Sequence, residues 1–138
     1  LIYEGPNVCR GHASNRQDLA KPDSNAGVLK TGDIAKIDNE GYATLVGRTK
    51  RYVKIFGLSV NLDDLEIKLK KQAFETAVIG ADNRIVILTQ HNDIEDIRIY
   101  IYSIVNFPTR VIKIINVNEI KHTEVGKVDY QEMSKEYL

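Results

Sequence analysis

The chain has 138 residues, enough for one ordinary domain or for a small domain with part of another. Its 19 basic and 19 acidic side chains cancel, so charge gives no case for nucleic acid or an anionic membrane as the main partner. A single cysteine, Cys9, excludes an internal disulfide and a four-cysteine zinc site; no apolar run is long enough to span a bilayer and no signal-peptide pattern opens the chain, so the cytoplasm is the expected location.

Residues 1–3 read as the end of a strand stopped by the turn formers Glu4-Gly5-Pro6-Asn7. The chain starts at Leu1, already inside such a pattern, and the expectation is a piece of a longer polypeptide. Residues 10–27 are polar and loop-like, with one helical turn expected over 16–20. From Val28 the pattern changes, and 34–46 predicts a β-hairpin turning at Asp38-Asn39-Glu40-Gly41. Tyr52 to Phe56 alternates as a strand, Gly57 makes a turn, and a second short strand leads to Asn61, a natural N-cap. Asp63 and Asp64 suit the first turn of a helix whose Leu62, Leu65 and Leu69 share one stripe.

Two continuous apolar strands follow over 76–80 and 84–89, as in a sheet covered on at least one face. Asn92 or Asp93 caps a second helix with Ile94, Ile97, Ile101 and Ile104 facing the core, ending ahead of Pro108. A third strand spans 111–117, the tail to Val128 is irregular, and 129–138 is a last short helix. From residue 50 onward this is hairpin, helix, two strands, helix, strand, loop, helix: a small α+β layer. The composition shift at 48–51 is the best internal boundary, dividing the chain into 1–49 and 50–138.

Three islands carry the chemistry. Asp33, after Thr31-Gly32, offers two acceptor oxygens suited to the vicinal hydroxyls of a ribose; its bland alternative is a carboxylate closing an Asx-turn. Arg48, after Gly47, suits directed bonds to phosphate or ribose oxygens, or is a surface arginine at a strand end. Lys50, Arg51 and Lys54 form either an anion-facing edge or an ordinary half-exposed edge strand. Lys127, after Gly126, is either a mobile cation for charge developing at a carboxylate–phosphate centre or a solvated loop lysine. His12, His91 and His122 lack metal-ligand spacing, so no metal site is expected; Cys9 is expected to pack as a small apolar side chain. Lys68 to Lys71 read as a solvated helix face.

The order and spacing of these islands resemble the C-terminal part of the acyl-adenylate-forming (AMP-dependent) ligase superfamily. YEGPNVCRGHASN is similar to that family's GPNVMxGY segment. Residues 30–66, KTGDIAKIDNEGYATLVGRTKRYVKIFGLSVNLDDLE, resemble TGDxxxxDxxGYxxxxGRxKxxIKxxGxxVxxxxxE, and EVGKVDY resembles the closing xxGKxxR element. The resemblance implies a small C-terminal lid domain, a hairpin plus a three-stranded sheet with helices, over 50–138. Residues 1–49 would be the end of a larger domain's β-barrel-like subdomain. It implies that Asp33 binds the ribose of ATP with Arg48 assisting, that Lys50 is the hinge, and that Lys127 is the catalytic lysine of adenylation. Gly57, with Lys54 in the same loop, would face the thioester step.

The implied cofactors are ATP/AMP, Mg²⁺ held by a missing domain, and CoA or phosphopantetheine as acceptor. The implied partners are a small carboxylic acid and CoA or an acyl or peptidyl carrier protein. The fragment alone is expected to be inactive, the missing domain carrying the phosphate loop and acyl pocket. The alternative is a stand-alone, non-catalytic lid-like module that binds a carrier protein or another partner.

Overall fold

Short alternating runs between turn formers give nine strands, and the two isoleucine- and leucine-striped segments give two of the three α-helices, in a computed structural model that describes residues 1–138. The chain divides into two units, Leu1–Thr49 and Lys50–Leu138, and passes between them inside the 3-10 turn Thr49–Arg51. No helix is long and apolar enough to cross a membrane.

The first unit holds two separate antiparallel ribbons. Strand β1 (Ile2–Glu4) pairs with β2 (Val28–Lys30), and β3 (Asp33–Ile37) pairs with β4 (Ala43–Arg48). The β3–β4 turn is closed by Asp38, whose carboxylate accepts from the amides of Glu40 at 3.0 Å and Tyr42 at 2.9 Å. Asn15 caps the 3-10 helix Arg16–Ala20. None of residues 1–49 is fully buried. Cys9 is therefore exposed, contrary to the expected packing: its segment has no core to enter, and its backbone carbonyl accepts from Asn25 Nδ2 at 2.7 Å.

The second unit owns the core. Hairpin β5 (Tyr52–Ile55) and β6 (Leu58–Asn61) leads into α1 (Leu62–Lys71), which Asn61 caps through the amide of Asp63. Strands β7 (Thr76–Ala81), β8 (Arg84–Thr89) and β9 (Ile112–Asn116) form one sheet in that order. Strand β7 runs antiparallel to β8, while β9 is parallel to β8 because α2 (Ile94–Ile104), capped by Asp93, carries the crossover. Helix α3 (Tyr130–Tyr137) closes the unit.

The sheet is covered on both faces. Val78, Ile85 and Ile87 pack with Leu62, Leu65 and Leu69 of α1, Ile97 and Ile101 of α2, and Val53 and Ile55 of β5. Their alternate neighbours Ala77, Ile79, Val86 and Leu88 pack with Val117, Ile120 and Met133. Two buried faces explain why β7 and β8 read as unbroken apolar runs. This is the expected α+β layer, a hairpin and a three-stranded sheet with helices. Leu69 is fully buried, and its truncation to alanine is worth roughly 2–5 kcal/mol.

Candidate functional site

In the first unit, antiparallel register sets Asp33 opposite Arg48. Arg48 Nε donates to Asp33 Oδ1 at 3.1 Å. The Asp33 side chain is 21% exposed and that of Arg48 is 72% exposed, so the pair sits at the surface with the guanidinium reaching into solvent. Thr31 Oγ1 accepts from the amide of Asp33 at 3.0 Å, and the amide and hydroxyl of Thr49 both donate to the carbonyl of Gly32, at 2.8 and 3.0 Å. Those bonds tie the Thr-Gly-Asp turn to the residue after Arg48. A carboxylate with two acceptor oxygens beside a fork of donors is the chemistry that takes a diol or a phosphate ester. Lys50, exposed, follows directly.

In the second unit Lys127 ends a tight turn. The amide of Gly126 donates to the carbonyl of Thr123 at 2.8 Å, and the amide of Thr123 donates to the carbonyl of Lys127 at 2.7 Å. Gly126 has φ +76°, which only glycine adopts freely. His122 and Val128 bridge across the base of the turn, and residues 121–127 are all exposed. The turn feeds straight into α3, whose N-cap Asp129 accepts from the amide of Glu132 at 3.0 Å.

Helix α3, which follows that turn, begins at Tyr130 in a charged group centred on Arg51. Arg51 is 9% exposed and points inward, so of the two readings of Lys50, Arg51 and Lys54 the anion-facing edge does not hold for Arg51, and the strand that follows alternates as the half-exposed reading has it. Its Nε donates to Asp63 Oδ1 at 2.6 Å, its Nη2 to Glu66 Oε2 at 3.2 Å and its Nη1 to the carbonyl of Val78 at 2.7 Å. Glu66 Oε2 also accepts from the amide of Val78 at 3.0 Å, and Glu66 Oε1 accepts from the Tyr130 hydroxyl at 2.6 Å. The Tyr130 ring lies under the Arg51 guanidinium, 3.9 Å from ring centroid to guanidinium carbon. Burial first, and then the Glu66 carboxylate, push the Tyr130 phenol well above its usual value, so it stays a donor. Only half of the signal is local, because the pairing with α1 is long-range. Arg51 shares strand parity with buried Val53 and Ile55, and Asp63 and Glu66 lie three apart on one helix face.

Lys54 and Gly57 lie on one hairpin. The loop is Phe56-Gly57, with φ +46° and +87°, the left-handed pair that a two-residue hairpin demands. A Cβ on Gly57 would meet nothing within 4 Å, so the glycine serves the backbone and the tip is open. Lys54 is exposed and its Nζ donates to Ser59 Oγ at 2.9 Å. The structure therefore brings Asp33 together with Arg48, and Lys54 together with Gly57.

No family model matches the chain. A 4-coumarate–CoA ligase-like protein of Arabidopsis thaliana is 29% identical over 98% of this chain and 26% of its own length. A long-chain-fatty-acid–CoA ligase of Yersinia pestis is 33% identical over 62% of this chain and 15% of its own. The o-succinylbenzoate CoA synthetase of Bacillus subtilis, solved in complex with its acyl-adenylate intermediate, superposes with a TM-score of 0.65 at 18% identity, over 96% of this chain and 29% of that one. The chain thus spans about a quarter or less of the curated relatives it matches. Those relatives are 4-coumarate–CoA ligases and a long-chain-fatty-acid–CoA ligase, its structural neighbours are adenylate-forming ligases, and the fold of this chain is that of their C-terminal domain.

Proposed function

We propose that this chain is the C-terminal part of an ATP-dependent carboxylate ligase. A carboxylate oxygen would attack the α-phosphorus of ATP and expel pyrophosphate to give acyl-AMP. A thiol sulfur, on CoA or on a carrier protein's phosphopantetheine, would then attack the acyl carbon and expel AMP. Residues 1–49 would end the large domain and 50–138 would be the lid that turns about Lys50 between the two steps. Asp33 accepts from the ribose hydroxyls, and Arg48 donates to ribose and phosphate. Lys127 bridges carboxylate and α-phosphate during adenylation, and the Lys54–Gly57 loop lines the thiol's path in the second step. Mg²⁺ would be held by residues outside this chain, the isolated chain would be inactive, and the cytoplasm is its place of action.

One observation carries this reading. The Asp33–Arg48 pair, the donor and acceptor set for a ribose and its phosphate, stands at the ribbon end from which the chain runs into its second unit at Lys50. A nucleotide gripped there is next to the pivot by covalent connection alone. The exposed Lys127 supplies a positive charge that offsets the negative charge developing in the first step, an effect typically worth about 10²–10³ in rate.

The test is Lys127→Ala in the protein as the cell makes it. Acyl-AMP formation, read by pyrophosphate exchange, should fall about 10²-fold or more. Thioester formation from supplied acyl-AMP should stay at the wild-type rate. Equal loss in both half-reactions overturns the assignment.

A further inference from the structure

We propose that the β7–β8 turn, Asp82-Asn83, is a clamp that sets the position of the β5–β6 hairpin tip, and that Asp82 and Asn83 are positioning residues for acyl transfer to the thiol. The inference rests on the reading that the Gly57 loop serves that step.

A two-stranded hairpin holds its own shape poorly. Here Val53 and Ile55 pack into the core, while Phe56 and Leu58 at the tip are 53% and 47% exposed, with the Arg110 guanidinium 5.2 Å over the Phe56 ring. In the register Ile55↔Leu58 and Lys54↔Ser59, the pair at Ile55 exchanges bonds within the hairpin. The amide and carbonyl of Lys54 therefore point away from β6. The β7–β8 turn meets both. The amide of Lys54 donates to Asp82 Oδ1 at 3.0 Å, and the amide of Asn83 donates to the carbonyl of Lys54 at 2.8 Å. Two residues further on, the amide of Phe56 donates to Asn83 Oδ1 at 2.7 Å.

Three bonds from a two-residue turn thus hold Lys54 and Phe56, the residue before Gly57. Asn83 holds φ +59°, a conformation that asparagine, aspartate and glycine tolerate and most side chains do not. The turn needs an acceptor of one carboxamide's length on a left-handed backbone, and Asn83 provides both. Neither Asp82 nor Asn83 is expected to touch a substrate; each acts through the hairpin backbone.

The experiment compares Asn83→Gly, which keeps the backbone and removes the acceptor, with Asn83→Asp, which keeps both, in the full protein. Backbone amide exchange at Lys54 and Phe56 and the two half-reactions are measured together. Asn83→Gly should speed exchange at Phe56 and slow thioester formation from acyl-AMP about tenfold, since about 1 Å of misplacement costs up to 10²-fold. Its acyl-AMP formation should stay within about twofold of wild type, and Asn83→Asp should restore both readouts. Loosened amides with an unchanged thioester rate overturn the proposal, as do unchanged amides or equal loss in both half-reactions. A wild-type protein that performs neither half-reaction overturns the assigned function instead, and amide exchange alone then decides whether the clamp exists.

Discussion

The Lys127 turn and the Gly57 hairpin tip are both exposed turns of the second unit built on a glycine with positive φ, yet they are fastened by different means. Behind the first lies a half-buried charged group, in which Arg51, Asp63, Glu66 and Tyr130 join the 3-10 turn Thr49–Arg51, α1 and α3. Behind the second lie three bonds between a surface turn and the outer edge of one strand. Removing Arg51 leaves two part-buried carboxylates without their cation, so this anchor's failure is steep. Bonds at an exposed edge fail by degrees, because water replaces each lost partner. One anchor is built for fixity and the other leaves room for adjustment.

That contrast breaks if the two anchors prove equally costly to remove. Arg51→Ala should give the largest loss, about 3 kcal/mol, because it leaves Asp63 and Glu66 facing each other without their cation. Urea unfolding of the chain followed by far-UV circular dichroism reads this, since there is no tryptophan to report it. Tyr130→Phe removes one hydroxyl bonded to a carboxylate and should cost about 1.5 kcal/mol. It also changes the alkaline limb. The folded-state pKa of Tyr130 is raised above its usual 10, so its contribution is complete below pH 10 and lost as pH rises towards the folded value. Wild type should lose stability in that range through this group, and Tyr130→Phe should lose less.

Smaller effects sharpen the picture. Gly126→Ala meets no clash but places a side chain at φ +76°, for about 1 kcal/mol. Asp82→Ala, at the other anchor, should cost about 1 kcal/mol or less by the same unfolding assay. Glu95→Ala breaks the exposed pair with Arg98 and should stay within about 0.5 kcal/mol, setting the scale of an uninvolved surface bond.

Much of the second unit was legible in the residues. The leucine stripe of α1, its Asn61 cap, the isoleucine stripe of α2 and the α+β order all follow from periodicity and capping, which are local properties. Asp33 and Arg48 could be named as candidates, and a two-residue-period register then pairs them. Three features were not legible because long-range pairing decides them. The partnership of β1 with β2 joins strands across a loop of polar residues. The covering of both sheet faces depends on where α3 docks. The inward turn of Arg51 depends on two carboxylates that α1 supplies, and its place in a basic run disguised it. Cys9 went the other way, since composition expects burial but the first unit offers none.

The most direct measurement is a crossed comparison of Lys127→Ala and Gly57→Val in the full protein, with single-turnover rates for acyl-AMP formation and for thioester formation from supplied acyl-AMP. The expected result is a crossing: the lysine variant loses the first half-reaction by about 10²-fold and keeps the second, and the glycine variant does the reverse. Two variants that lose the same half-reaction, or both half-reactions in equal measure, would contradict a lid that presents one turn to each step.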